Sequence, residues 1–462
     1  MASTVILAPF YLNYLPLAQF GALSVYTTFS MFVQVLITYS FDSTLYVYFH
    51  DYKKDPRRLA EFVSSAFIFM MITTVVVGLA AIGAGSLLFD RLFEGKAISF
   101  YPFGLMSVVT AAFQAFFKVY NTLLQSSEKP VLFFWSNLVS FFFIAAFTVG
   151  GLLIFPDTLI GPVGGKTLAA GISFAWVLLK VFREFGFHFN FSLLRTSFGY
   201  NNTSFIYQLQ QWGINYFDRL LMTLYLALSV VGAYDFAFKC MLLIDFVVSG
   251  LYNSFFPKVI AMVIDQPVKE TTVTINRYYH SLMAVVMLLV CLSILLFPML
   301  VDLGLIRHGY DEAMKYIPFL GLVYLARGVR YYFSFPYAAL KYPGPLPFIY
   351  GIVSALKIGL MVVFMARFGV YAVIASAFIS TLVEVVLLRW AIRKRFQFHM
   401  NPYKMILAPL ALAALIMLTE ILERDAPHAY LRHAFYAVFC ASLLWLLYRK
   451  ELKMIRPSTY FR

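Results

Sequence analysis

The chain has 462 residues, of which 61% are apolar and only 13% are charged. Soluble globular proteins have roughly 45–50% apolar and about 25% charged residues, so this composition excludes a water-soluble fold. The formal charge of +14 indicates contact with the anionic headgroups of membrane lipids and not with nucleic acid, because the basic residues collect in alternate loops between apolar segments.

Apolar stretches of about 20 residues or more, long enough to cross a hydrocarbon core of about 30 Å, recur along the whole chain. The opening stretch, Met1 to Leu17, is apolar but too short for a span, and we interpret it as the second half of a first helix whose beginning is missing. Complete spans are predicted near residues 20–49, 60–88, 97–124, 130–154, 159–182, 200–226, 229–256, 272–302, 312–340, 346–367, 370–391, 403–421 and 429–448. The sequence therefore predicts about fourteen helices.

The loops alternate between basic and nearly neutral ones. The first basic loop contains Lys53, Lys54, Arg57 and Arg58. The next loop, 90–96, has two charges of each sign. The C-terminal tail contains Arg449, Lys450, Lys453, Arg456 and Arg462. By the positive-inside rule, the basic loops and both termini are predicted to be cytoplasmic in a multi-pass protein of the cell inner membrane.

An internal repeat appears when the chain is compared with itself at a shift of 211 residues. The shift places Leu15, Gly21 and Ala22 on Leu226, Gly232 and Ala233. We predict an all-α polytopic fold of two six-helix lobes, related by a pseudo-two-fold axis around a central cavity, with two further C-terminal helices. The predicted boundaries are 1–182 and 200–395 for the lobes, 183–199 for a cytoplasmic amphipathic linker, and 396–462 for the last two helices and the basic tail.

Polar residues follow helical spacing inside five of the spans. The clearest stripe consists of Asn201, Ser204, Gln208, Gln211, Asn215 and Asp218. The others are Thr27, Gln34, Thr38 and Asp42; Gln114, Lys118, Asn121 and Gln125; Asp235, Lys239, Asp245, Ser249 and Asn253; and Arg327, Arg330, Ser334, Tyr337 and Lys341. Five such faces predict one hydrated cavity. The alternative is a set of interhelical hydrogen bonds worth about 0.6 kcal/mol each.

Charges inside the spans indicate what the cavity binds. Arg327 and Arg330 have no acidic neighbour on their own helix, which predicts a cationic cavity suited to phosphate groups, since guanidinium pairs bidentately with phosphate oxygens. The candidate substrate-binding residues are Lys118, Arg219, Lys239, Arg327, Arg330, Gln34, Gln208, Gln211 and Asn215. The candidates for charge balance or ion coupling are Asp42, Asp218 and Asp245. Lys357 and Glu384, at comparable depth on adjacent spans, are predicted to form a structural ion pair. For the sequence neighbours Asp218 and Arg219, a structural ion pair is likewise the alternative to a functional role.

The sequence predicts no metal site, no cofactor and no catalytic centre. The three cysteines have no metal-ligand spacing, and the histidines are scattered. Gly161 to Thr167 resembles a phosphate-binding loop, but the first glycine of that motif would have to stand at Ile160. A membrane-embedded glycosyltransferase or polymerase would require a long catalytic loop, and none is visible.

Three segments resemble a known family of carriers. Asn215 to Leu221 followed by Val231 to Tyr234, Leu15 to Gly21, and Phe368 to Ala372 are similar to passages of polysaccharide-transport (Wzx-type) flippases. These flippases belong to the multidrug/oligosaccharidyl-lipid/polysaccharide exporter superfamily. The resemblance follows helix order over nearly the full chain, although Asn201 and Asn202 stand where the family commonly has proline.

The resemblance implies export of an undecaprenyl diphosphate-linked oligosaccharide by alternating access, for O-antigen, capsule or exopolysaccharide assembly in a bacterial inner membrane. It also implies H⁺ or Na⁺ as the coupling ion if transport is ion-coupled, with a polymerase and glycosyltransferases as partners. A peptidoglycan-precursor (lipid II) flippase and a drug or cation antiporter of the same superfamily are the alternatives among transporters.

Overall fold

The computed structural model describes residues 7, 10–265, 268–304, 309–340, 342–396, 400–422 and 429–452, all as helices and their connections. Among these residues, nine helices are long and apolar enough to cross a membrane. The chain divides into a first compact unit within Ile6–Gly232 and a second within Ala233–Arg462. Lys341 and the tail residues Lys453, Arg456 and Arg462 lie outside the described residues.

The first unit begins with a helical stretch at 10–14. It continues with α1 (Leu17–Thr38), α2 (Phe41–Tyr52), α3 (Pro56–Leu92), α4 (Leu105–Ser126), α5 (Pro130–Ile154), α6 (Ile160–Phe185), α7 (Phe191–Tyr225) and the start of α8 (Leu228–Asp265). Local signals set several of these boundaries. Asp55 caps α3 by accepting hydrogen bonds from the backbone of Arg57 and Arg58, both at 3.2 Å. Pro130 opens α5 at a position where proline costs no hydrogen bond.

The predicted span 20–49 consists of two helices. Tyr39 and Ser40 have φ values of 43° and 60°, in the left-handed region, and they separate α1 from α2. Neither residue is glycine, so the break costs free energy and must be held by its surroundings. The break lies between Thr38 and Asp42, two residues of a predicted polar stripe.

The predicted linker 183–199 contains the end of α6, a non-helical connection at 186–190 and the first turns of α7. The helix α6 ends at Phe185 and is followed by Gly186, with φ 71°. Asn190 then caps α7 by accepting from the backbone of Ser192 at 3.2 Å and Leu193 at 3.4 Å. The helix runs without interruption through Tyr225 and packs on α1, α2 and α3.

Glycines allow the closest helix contacts of the first unit. A Cβ at Gly161 or Gly165 of α6 would overlap the backbone of Gly151 or Phe147 in α5. The segment that resembles a phosphate-binding loop therefore lies within a helix, where its small residues let two backbones approach.

A second close contact joins the starts of α1 and α8. A Cβ at Gly21 would overlap the carbonyl oxygen of Leu228, and a Cβ at Gly232 would overlap that of Leu17. The contact is reciprocal, because the glycine of each helix faces the leucine carbonyl oxygen of the other. The two leucines stand 211 residues apart, as do the two glycines, so the contact joins equivalent positions of the internal repeat.

The second unit contains the rest of α8 and α9 (Val268–Asp302), α10 (Asp311–Met314), α11 (Ile317–Ala339), α12 (Leu346–Phe368), α13 (Val370–Ile392), α14 (Ala408–Leu422) and α15 (Ala429–Leu452). Gly369, with φ 56°, makes the turn between α12 and α13. The last helix, α15, packs on α9. The Ser281 hydroxyl of α9 donates to the backbone oxygen of Glu451 at 2.8 Å.

Helix order and packing repeat between the units. The starts of α1, α3, α4, α5 and α6 are followed 210 to 216 residues later by the starts of α8, α9, α11, α12 and α13. In the first unit α6 packs on α4 and α5, and in the second unit α13 packs likewise on α11 and α12. The described helices therefore reproduce the repeat detected in the sequence.

Candidate functional site

The candidate residues form polar clusters within each of the two units. In the first unit the centre is Asp42 at the start of α2. Its Oδ2 lies 2.8 Å from Nζ of Lys118 in α4. Its Oδ1 accepts a hydrogen bond from Nε2 of Gln208 in α7 at 2.9 Å, and Gln208 also lies 3.3 Å from the hydroxyl of Ser43. Three of the predicted polar stripes thus meet at one carboxylate.

The same interface continues beside the helix break. Thr44 donates to the side-chain oxygen of Asn201, and Tyr39 donates to that of Asn202. Asn201 is fully buried, and its Nδ2 has no hydrogen-bond partner among the described residues. The two asparagines at the position where the family commonly has proline therefore hold α7 against the break between α1 and α2.

Asp218 and Arg219 form a buried pair in α7. Nη1 of Arg219 lies 2.5 Å from Oδ1 of Asp218 and 2.7 Å from the carbonyl oxygen of Asn215. The two side chains are only 1% and 2% exposed. A phosphate could reach this guanidinium only after the pair opened, so substrate binding by Arg219 stays a prediction.

The remaining amides of the first unit are half-buried. Asn215 donates from Nδ2 to the carbonyl oxygen of Gln211 one turn earlier, at 2.8 Å. Gln34 and Gln211 are also partly exposed. Trp212, the residue after Gln211, donates from its indole nitrogen to the carbonyl oxygen of Thr28 in α1 at 3.2 Å.

In the second unit the centre is Asp245 of α8. Its Oδ2 lies 3.2 Å from Nη1 of Arg327 in α11 and accepts a hydrogen bond from Tyr324 at 3.1 Å. The guanidinium of Arg327 lies 5.1 Å from the centre of the Tyr324 ring. The ion-coupling candidate and a substrate-binding candidate are therefore direct partners.

Arg330 lies one turn further along α11 and contacts α13. Its Nη1 is 3.5 Å from Oε1 of Glu384. The Glu384 side chain is 3% exposed, whereas that of Arg330 is 31% exposed. Lys357 is buried on α12, and its predicted pairing with Glu384 stays a prediction. Lys239 is paired within α8, 2.6 Å from Asp235 four residues earlier.

Each of the five candidate bases therefore lies within 3.5 Å of a carboxylate oxygen. This differs from the expected surplus of positive charge around Arg327 and Arg330. The acids come from other helices, α8 and α13, so the pairing could not be seen along α11 alone. Among the described residues, the arrangement thus consists of paired charges, of which Lys118 and Arg330 are the more exposed bases, at 40% and 31%.

Sequence reasoning missed several residues that complete these clusters. Tyr324, Thr44, Ser43 and Tyr39 each contact a predicted site residue. Tyr324 stands three residues before Arg327, so helical spacing was the available signal. The other three lie beside the helix break, which the sequence did not predict.

Comparison with known proteins agrees with this architecture. The family model described as "Polysaccharide biosynthesis protein" matches residues 3–263. No curated protein matches the sequence. A solved structure of the lipid II flippase MurJ, in an inward closed conformation, superposes with a TM-score of 0.76 at 13% identity and covers 97% of each chain.

Two solved transporters of the MATE family are also similar. An inward-facing multidrug resistance MATE transporter of the MOP superfamily has a TM-score of 0.61 at 13% identity, covering 86% of this chain and 94% of that one. The MATE multidrug transporter DinF-BH has a TM-score of 0.54 at 14% identity, covering 86% and 92%. The chain therefore has the all-helical fold of MOP superfamily transporters.

Proposed function

Because the chain belongs to the polysaccharide biosynthesis protein family, we propose that it carries an undecaprenyl diphosphate-linked oligosaccharide from the cytoplasmic to the outer leaflet of the inner membrane. The glycan serves O-antigen, capsule or exopolysaccharide assembly. The chain acts as a carrier and not as an enzyme, with both termini cytoplasmic. Glycosyltransferases supply its substrate, and a polymerase consumes the product.

Ion pairs between helices of an otherwise apolar bundle carry this proposal. An ionised side chain at the bilayer centre costs at least about 2.5–3.5 kcal/mol, so charges persist there mainly for function. Asp42 with Lys118, and Asp245 with Arg327, join different helices and stay partly accessible. A diphosphate, like a carboxylate, presents anionic oxygen acceptors, and it carries more negative charge than a single carboxylate, so it can bind the guanidinium bidentately in place of the acid.

Exchange of partners also supplies a coupling step. When a phosphate oxygen replaces Asp245 at Arg327, the freed carboxylate needs a new cation, which H⁺ or Na⁺ provides. The membrane potential contributes about 2.3 kcal/mol per unit charge per 100 mV, and with a negative cytoplasm it favours export for each negative charge of the diphosphate that no co-bound cation neutralises.

Transport in reconstituted vesicles tests the proposal. The vesicles contain the protein and lipid-linked oligosaccharides extracted from cells that encode it, and an impermeant glycosidase reports the sugar in the outer leaflet. We expect the wild-type protein to make the inner-leaflet sugar accessible over time. The double variant Arg327→Ala with Arg330→Ala is expected to leave it protected, because both guanidinium partners for the diphosphate are gone.

A matched variant and a conservative one complete the test. Arg57→Ala with Arg58→Ala also removes two arginines, but from the exposed first turn of α3, where the ion pairs with Glu61 and Asp55 contribute little. The variant Arg327→Lys with Arg330→Lys keeps both positive charges but loses the bidentate geometry of guanidinium, so we expect it to transport slowly. Full transport by the Arg327/Arg330 alanine variant, with normal insertion and melting, removes the diphosphate site from the proposal.

The same vesicles separate the rival substrates. A lipid II flippase would expose lipid II in preference to the oligosaccharide lipid, and a multidrug antiporter would instead move a fluorescent organic cation against a proton or sodium gradient. Either result would replace the substrate proposed here while keeping the fold.

A further inference from the structure

Beyond the charged residues, the second unit contains a cluster of aromatic rings on the same helix faces. Asp245, Ser249, Tyr252 and Phe256 follow spacings of four, three and four residues in α8, so they share one face. Arg327, Tyr331 and Ser334 share a face of α11 in the same way. The ion pair between Asp245 and Arg327 lies at one end of this seam and the rings at the other.

Three rings at this end are only half-buried, and the central one, Tyr252, contacts the other two. Tyr252 stacks on Phe256 with 4.7 Å between ring centres, and it lies 4.8 Å from Tyr331. Beneath them, Phe255 and Tyr279 are buried and also contact one another, at 5.4 Å. We call the three half-buried rings Tyr252, Phe256 and Tyr331 the aromatic platform; Tyr252 packs on both buried rings, 5.7 Å from Phe255 and 6.4 Å from Tyr279.

The internal repeat provides a comparison for the aromatic platform. Its three positions correspond to residues of α2 and α4 in the first unit, at shifts of 211 and 212. Those residues are Phe41, Leu45 and Val119, each 0% exposed. The next position confirms the register, since Tyr120 and Tyr332 correspond and are both buried. One half of the repeat therefore uses these positions for its core, whereas the other presents rings at its surface.

Polar groups border the aromatic platform. The guanidinium of Arg330 lies 5.7 Å from the centre of the Tyr331 ring, and the exposed Asn253 stands three residues before Phe256 on α8. Ring faces turned to lipid occur in aromatic belts, but ionised arginine and aspartate on the same faces disfavour a lipid-facing position. An apolar face edged by hydrogen-bonding groups has the same pattern as a sugar ring, whose C–H bonds carry partial positive charge and whose hydroxyls lie at its rim.

We propose that the aromatic platform stacks on a pyranose ring of the oligosaccharide while Arg327 and Arg330 engage the adjoining diphosphate. The electron-rich ring faces attract the sugar's C–H bonds, and Asn253 and Arg330 donate hydrogen bonds to its hydroxyls. The inference rests on the proposed function and adds a sugar subsite to it.

Binding measurements on the purified full chain in nanodiscs test this inference. One probe is the lipid-linked oligosaccharide extracted for the transport assay, and the other is the same lipid diphosphate after enzymatic removal of the sugar. We expect the wild-type protein to bind the glycosylated lipid more tightly. Tyr252→Leu with Tyr331→Leu keeps apolar volume but removes two ring faces, so it should weaken binding of the glycosylated lipid about tenfold and leave the bare lipid unchanged.

Matched variants separate stacking from folding. Tyr252→Phe with Tyr331→Phe keeps both rings and should retain wild-type binding. Tyr46→Leu, an exposed tyrosine of the first unit, should change neither affinity. If the leucine variant binds both lipids as the wild-type protein does, or if the wild-type protein does not distinguish them, the sugar subsite is overturned. If the wild-type protein binds neither lipid, the proposed function fails as well.

Discussion

Asp42 receives a different donor on each of its carboxylate oxygens, Lys118 on one and Gln208 on the other. The pair is asymmetric in exposure, since the Asp42 side chain is 13% exposed and that of Lys118 is 40% exposed. The lysine is therefore the more accessible member of the pair, whereas the acid is also held by Gln208. The exchange of partners proposed above uses this asymmetry.

Removing the charge of Asp42 should impair transport. Asp42→Asn leaves Lys118 without its counter-charge, and we expect slower transport and a loss of about 1–3 kcal/mol of stability, less than for a fully buried pair because Lys118 is half in solvent. Exchanging the two residues, with Asp42→Lys and Lys118→Asp, should restore part of the stability. Vesicle transport and thermal unfolding measure both effects.

The surface pair of Lys53 and Glu128 is the control for this prediction. Its side chains are 51% and 75% exposed with 3.3 Å between the charged atoms. Glu128→Gln should therefore leave melting and transport unchanged. An exchanged protein no more stable than the single variant would show that the pair itself does not matter.

At the scale of elements, two features could not be expected from a series of uninterrupted membrane-spanning helices. One is the break between α1 and α2, and the other is the close crossing of α1 with the start of α8. The left-handed backbone conformation of Tyr39 and Ser40 separates α2 from α1. Asp42 and Thr44 of α2 contact α7. The crossing depends on two glycines, because any Cβ at Gly21 or Gly232 would meet a backbone carbonyl group of the other helix.

Gly21→Ala should destabilise the protein and slow transport. In an open helix this substitution stabilises by about 1 kcal/mol, so a loss would reveal the steric overlap with Leu228. Gly78→Ala in α3, where nothing lies within 4 Å of the added Cβ, should be neutral or stabilising. Equal melting temperatures for the two variants would contradict a close crossing.

At the scale of the whole molecule, the two units repeat helix order but differ in what their helices carry. The first unit places amides of α7 against α2, and the second unit places arginines of α11 against α8 and α13. Repetition thus produces similar scaffolds, and individual side chains give each scaffold its own chemistry.

Orientation in the membrane is a whole-molecule prediction. Single cysteines at Lys54→Cys and Glu94→Cys lie in consecutive exposed connections, after α2 and after α3. In intact cells an impermeant maleimide should label position 94 and not position 54, and permeabilisation should make both reactive. The native Cys240, Cys291 and Cys440 are buried, so the unsubstituted protein gives the background. Labelling of position 54 alone would invert the assigned topology.

The sequence by itself determined the helical class, most helix boundaries and the repeat. The predicted span 130–154 coincides with α5, because Pro130 marks its start and the apolar run its length. The predicted spans 346–367 and 370–391 each end one residue before α12 and α13 do, and Gly369 marks the turn between these two helices. These signals are local, because the length of an apolar run and the position of a turn-forming residue can be read from the sequence itself.

Only the tertiary structure decided the helix break and the partners of the buried charges. Tyr39 and Ser40 carry no glycine or proline signal, and their conformation depends on contacts with a helix far along the chain. Likewise, Glu384 lies 54 residues after Arg330, and no spacing rule joins them. Pairing across helices follows from packing geometry, because an ionised side chain is stabilised most by the opposite charge that is nearest in space, whatever its distance along the sequence.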